Sequence, residues 1–158
     1  MIPCERGFSD RGFSLIELMV VIVVGAVVSA IVVPQVQRSL AANRVHSSAV
    51  QVATELNYAR TIALSRNAVL EIEFTTDSYQ IVDPADPDNP PRTRKFLEPG
   101  VRFVQRPVNP ICFFPRGNAD AGTVQIADEY GQGVVIAVSA GGMVEIREFT
   151  SGGELDAY

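Results

Sequence analysis

One carboxylate interrupts an otherwise uncharged apolar run near the start of the chain. From Phe13 to Val33 the only charged residue is Glu17, and from Leu18 to Val33 there is none. As a helix rising about 1.5 Å per residue, the run reaches roughly 30 Å, the thickness of a bilayer core. An ordinary secretory signal has an apolar core of only about 7–15 residues, followed by a small-residue cut site. Here the block is longer, and a helical pattern continues beyond it. A plain membrane anchor fits the length but leaves Glu17 unexplained. An ionisable group inside a span costs on the order of 2–3 kcal/mol and marks a function or a partner.

The residues around Glu17 supply a reason. Gly12-Phe13-Ser14-Leu15-Ile16-Glu17 resembles the cleavage motif of type IV prepilins. The resemblance implies that a prepilin peptidase cuts between Gly12 and Phe13 on the cytoplasmic side, and that Phe13 becomes an N-methylated N-terminus. It makes Glu17 the acidic fifth residue of the mature chain, able to pair with the Phe13 amine of a neighbouring subunit. Such pairing relieves two charges that would each be desolvated alone. An earlier Gly7-Phe8-Ser9 fails as a cut site, because Asp10 follows and no acid lies five positions in. Pro34 falls where pilins often carry a helix-bending proline. With Gly25 and Ser29 upstream, it marks a weakened stretch, since proline removes a backbone donor and clashes with the preceding turn. The leader is nearly neutral, Arg6 and Arg11 against Glu5 and Asp10, so its positive-inside signal is weak.

Composition narrows the remaining classes. The 158 residues are enough for one modest domain plus an appendage. The net charge of −5 argues against nucleic-acid binding, which needs a concentrated positive field. Histidine catalysis has little material, because His46 is the single histidine. It falls on the exposed side of the helical pattern and reads as a surface residue. The two cysteines are Cys4 and Cys112. Cleavage would remove Cys4 and leave Cys112 unpaired in the apolar run Ile111–Phe114, as a small buried hydrophobe.

Beyond Pro34 the pattern turns amphipathic. Val36, Leu40, Val45, Ala49, Val52, Leu56, Ala59 and Ala63 recur at steps of three to five, close to one helical face. The polar residues between them include Glu55 and Arg60. Arg38, Arg44, Arg60 and Arg66 read as solvated helix charges. One helix from about Phe13 to about Ser65 is expected, roughly 80 Å long, with Arg66-Asn67 suiting its C-terminus.

After Asn67 the signals are those of strands. Residues 68–74 alternate apolar and acidic, 75–77 turn, and 78–82 return as a hairpin. Asp83 to Arg92 reads DPADPDNPPR, an exposed loop whose prolines spoil the compact spacing of a calcium site. Further strands are expected near 95–97, 101–105, 111–114, 122–127, 134–139 and 143–149. Pro107, Pro110 and Pro115 limit pairing in the middle of that set. Glycines 117, 122, 131, 133, 141 and 142 read as turns.

A narrower resemblance lies in the C-terminal half. Phe113–Gly117, Gly122–Ile126 and Val135–Gly142, together with the helix end Ala59–Asn67, are similar to the GspH/FimT pseudopilin domain. The resemblance implies an α+β, pilin-like fold, a long N-terminal helix packed on a C-terminal antiparallel sheet domain. It divides the chain into a cleaved leader (1–12), a transmembrane or filament-core helix (13–34) and an amphipathic helix half (35–67). A β-rich domain (68–150) and a loose tail (151–158) follow.

The role implied is that of a minor pilin or pseudopilin that helps initiate or cap a type IV pilus or type II secretion pseudopilus. Its partners would be the prepilin peptidase, other pilin-like subunits through the N-terminal helix, and a cytoplasmic-membrane assembly platform. It would cross the bacterial inner membrane once, with its domain outside the cytoplasm. Some FimT-like members bind DNA through a basic segment after the last glycine turn. The matching stretch here, residues 141–148, has only Arg147, between Glu145 and Glu148, so DNA is a weak alternative. No paired metal ligands, phosphate loop or nucleophile–base set is legible, and neither enzymatic activity nor a cofactor is expected.

Overall fold

The computed structural model describes residues 13–150. The expected leader with Gly12 and Cys4, and the expected tail 151–158, lie outside the described residues. One helix, α1 (Leu15–Arg66), precedes eight strands. These are β1 (Leu70–Phe74), β2 (Ser78–Val82), β3 (Lys95–Phe96), β4 (Arg102–Gln105), β5 (Ile111–Phe113), β6 (Gly122–Ala127), β7 (Gln132–Val138) and β8 (Val144–Thr150). Two compact units divide the chain, Met1–Gln37 and Arg38–Tyr158.

The first unit contributes the apolar part of α1. Its side chains from Phe13 onward are all exposed. An 18-residue window of the helix reaches a mean hydropathy of 2.9, so it is long and apolar enough to cross a membrane. Pro34 lies inside α1.

In the second unit, α1 supplies one wall of the core. Val45, Ala49, Val52, Leu56, Ala59 and Ala63 are almost fully buried, in one cluster with inward residues of the strands such as Ile72, Phe113 and Ile136. The helix ends in a Schellman arrangement. Asn67 takes a positive φ of 52°, and the Ala68 amide donates to the Ala63 carbonyl at 3.2 Å. That bond commits Ala68 to the helix cap, which explains why β1 begins at Leu70 and not at 68.

The strands are antiparallel throughout, as expected, but they form two four-stranded sheets. The first has the order β3-β2-β1-β5 and the second β4-β6-β7-β8. Inward residues pair across the ladders, with Ile72 opposite Ile81, Leu70 opposite Phe113 and Val124 opposite Ile136. Burying each such side chain contributes about 1.5–3 kcal/mol. An aromatic cluster joins the two sheets. Phe103 of β4 meets Phe74 of β1 edge-on at 5.3 Å and Tyr79 of β2 at 6.3 Å. Beside it, the Phe103 amide donates to the Thr76 carbonyl at 3.0 Å.

Some local expectations are corrected. Gly122 and Gly133 are not turn residues, because they pair inside β6 and β7 with Val138 and Ala127. A Cβ at Gly122 would lie 3.1 Å from the Ile111 side chain, so close packing favours glycine there. β7 starts at Gln132 because Asp128 organises the preceding turn. Its Oδ1 accepts from the amides of Tyr130 and Gln132 at 2.9 Å each.

Candidate functional site

The predicted processing and pairing residues lie at the start of α1. The described residues begin with Phe13, which is 81% exposed. The first intrahelical bond runs from the Leu18 amide to the Ser14 carbonyl at 3.2 Å. Glu17 is an acid in the first turn, where the helix dipole favours negative charge. It is exposed. Pro34 is exposed within the same helix. Gly12, the other half of the expected cut site, is outside the described residues.

The segments that carry the second resemblance converge on one side chain. Arg60 reaches across from α1 to the turns after β5 and β7. Its Nε donates to the Gly117 carbonyl at 3.2 Å, and its Nη2 donates to the Gly141 carbonyl at 3.4 Å. Gly117 and Gly142 both take positive φ, 85° and 73°. At Gly142 a Cβ would stand 2.4 Å from the Gly117 carbonyl oxygen and 3.0 Å from Arg60 Nε, so only glycine fits. Arg60 is therefore a strut between helix and turns, not the solvated charge expected.

Glu55, placed by its polar type between the positions of the buried stripe, belongs to that stripe: its residue exposure is 2%. It accepts from Arg92 Nη1 at 2.7 Å and forms a second, short bond with Lys95 Nζ. The Arg92 guanidinium also stacks over the Tyr58 ring, 3.9 Å from its centroid. This pairing ties the far limb of the proline-rich loop to the helix. Nearby, burial first and the Glu55 charge second raise the Tyr79 hydroxyl above its usual ionisation range. Sequence spacing held the signal for Glu55, because it lies three residues after Val52 and four before Ala59, on the buried stripe.

The remaining candidates are quieter. His46 is exposed, as expected. Cys112 is half-buried, less than expected, with its thiol 3.7 Å from the Pro110 carbonyl oxygen. Burial, and then the charges of Glu71 and Asp120, push that thiol up to about 11. Arg147 pairs with Glu145 at 2.6 Å, so the one basic group in the segment considered for DNA is already engaged. Among the described residues, no three histidine, cysteine or acidic side chains cluster as metal ligands do.

Comparison with known proteins agrees with this layout. Residues 48–142 match the family described as Type II transport protein GspH, and residues 7–33 match the prokaryotic N-terminal methylation motif. No curated protein matches the sequence. The fold is similar to the crystal structure of the Pseudomonas aeruginosa type IV minor pilin FimU. That match has a TM-score of 0.55 and 18% identity, covering 66% of this chain and 88% of that one. It is also similar to the minor pseudopilin EpsH of the Vibrio cholerae type 2 secretion system. There the TM-score is 0.53 and the identity 14%, covering 70% of this chain and 99% of that one. With residues 48–142 matched, from the end part of α1 through β7 and the glycine turns that Arg60 braces, the chain belongs to the GspH family.

Proposed function

We propose that this chain is a non-enzymatic minor pilin or pseudopilin, made as a precursor and built into a type IV pilus or type II secretion pseudopilus. One observation carries the reading. A methylation motif opens a helix that is apolar and exposed along its first part and then becomes the spine of a GspH domain. Peptidase cleavage after Gly12 frees the Phe13 amine, which is then methylated. The helix holds the subunit in the inner membrane, with its domain outside the cytoplasm. During assembly the helix exchanges lipid for neighbouring helices, and Glu17 meets the Phe13 ammonium of an adjacent subunit. In that dry surrounding each charge removes the desolvation penalty of the other.

The test is the mature N-terminus and its consequence. Mass spectrometry of the natural product should find methylated phenylalanine at Phe13. Gly12→Val should leave the precursor uncut, and Glu17→Ala should be cut normally yet enter the filament at least tenfold less. A natural product that still begins at Met1 overturns the proposal.

A further inference from the structure

The end of the domain where α1 stops carries two unlike surfaces, one on each side of β1. Val82, the last residue of β2, lies opposite Glu71, and Phe113, the last of β5, lies opposite Leu70. The loop after β2 and the turn after β5 therefore leave the sheet at one level, two strand spacings or roughly 10 Å apart.

The turn after β5 borders a cleft of about 380 Å³, lined by Asn67, Phe114, Pro115, Arg116 and Asn118. Its shape is preformed. The Phe114 amide donates to the Asn118 carbonyl and the Gly117 amide to the Phe114 carbonyl, both at 2.9 Å, and Arg60 holds the Gly117 carbonyl. Arg116 is exposed, as is Arg66, the neighbour of Asn67 in the chain. Ion pairs among the described residues engage Glu55, Arg92, Lys95, Glu145 and Arg147, and neither Arg116 nor Arg66 takes part. A free guanidinium beside two amides, against half-buried Phe114 and Pro115, suits a carboxylate carried on a proline-rich segment.

The loop after β2 has that chemistry. Asp83, Asp86 and Asp88 follow one another with no base between them, and none is ion-paired among the described residues. The Ala85 amide donates to Asp83 Oδ1 at 2.9 Å, and the Asp86 amide to the Asp83 carbonyl at 3.0 Å. Pro84, Pro87, Pro90 and Pro91 stiffen the segment further, so little ordering entropy opposes its docking. The loop is held away from the cleft of its own chain. Its far limb is tied through Arg92 and Lys95 to Glu55, and it enters β3, on the side of β2 opposite to β1 and β5.

We infer that the Arg116 cleft of one chain receives the aspartate loop, residues 83–89, of a second copy. Each chain has a net charge of −5, so copies repel overall and local complementarity selects the contact. Cleft and loop are different patches, which makes the contact heterologous. They leave the sheet at one level on opposite flanks, so docked copies can stand side by side, each with a cleft or loop still free for the next. Such a contact extends in one direction instead of closing as a pair. The inference rests on the filament-subunit reading and deepens it, by naming a contact between domains that pairing of Glu17 with Phe13 does not supply.

The test uses the full-length chain, in two differently tagged copies, in cells that assemble the filament. A photo-crosslinking residue at Ala85, exposed within the loop, should capture the other copy at residues 114–118. The same probe at Thr123, exposed on β6, should not. Arg116→Asp should lower the Ala85 crosslink by roughly tenfold or more, because like charges then face each other. Asp86→Arg with Asp88→Arg should do the same, and a chain carrying all three changes should recover the crosslink. Capture of lipid, of a different protein or of nothing overturns the inference, as does a crosslink that Arg116→Asp leaves intact or that the triple exchange does not restore. If the chain enters filaments and Ala85 captures no copy, the domain contact falls and the filament reading stands. If the chain never enters a filament while the copies still crosslink in the membrane, the filament reading falls and the contact stands.

Discussion

Arg60 Nε donates to the carbonyl oxygen of Gly117 at 3.2 Å, a bond between residues 57 positions apart. With the second bond to Gly141, it fastens both glycine turns to the helix by one planar guanidinium. Arg60→Ala should destabilise the domain by about 1.5–3 kcal/mol, the range for hydrogen bonds involving a charged group. Arg60→Lys should recover only part of that, because an ammonium lacks the fork that spans both carbonyls. Urea unfolding of the two variants measures the difference, and equal stability of lysine and arginine at this position contradicts the strut.

Gly142 lies under the same strut. Its φ of 73° and the 2.4 Å approach to a backbone oxygen leave no room for a methyl group. Gly142→Ala should cost roughly 2 kcal/mol or more. Gly100 also has a positive φ, 87°, but open space around it, so Gly100→Ala should cost less. Thermal unfolding of the pair reads the difference directly.

The Glu55 cluster should respond asymmetrically. Its carboxylate side chain is 3% exposed, whereas Arg92 and Lys95 keep 40% and 32% exposure. Removing the acid leaves two cations that water still reaches. Removing both cations leaves a buried, unpaired carboxylate, a loss of about 3–5 kcal/mol. Arg92→Ala with Lys95→Ala should therefore be more destabilising than Glu55→Gln. Chemical denaturation at pH 7 ranks them, and the reverse order contradicts the burial argument.

Cys112 should be a slow thiol. Its ionisation is raised from 9.0 to about 11, so the thiolate, the reactive form, is scarcer in the folded chain at any pH below that range. Two units correspond to about a hundredfold less thiolate near pH 8. Alkylation by iodoacetamide should be slower than for the urea-unfolded chain by up to that factor. The gap should narrow as pH rises from 9 through 11, since the unfolded thiol is then already ionised. Equal rates at pH 8 contradict the shift.

Much of this architecture was legible in the residues. The apolar run with Glu17, the helix end at Arg66-Asn67 and the alternation of Leu70, Ile72 and Phe74 each follow from local periodicity. What escaped has a common physical cause. Arg60 reads as a solvated charge by residue type and Glu55 as a polar residue between the buried positions, but their places on the helix set them against the domain, where distant backbone and side-chain groups receive them. Those partners, Arg92, Lys95, Gly117 and Gly141, are remote in sequence, and periodicity carries no information about them. The division into two sheets escaped for the same reason. Strand pattern fixes which residues face inward, whereas the partner of each strand is set by turns such as the one Asp128 caps. Gly122 and Gly133 show the limit from the other side, since close strand packing and a turn ask for the same residue.

Among the described residues, every side chain of the hydrophobic core lies at Val45 or beyond. The apolar run before Val45 thus supplies no side chain to that core. If the chain is a filament subunit as proposed, leaving a membrane would uncover none of that core, and the domain would travel as finished cargo.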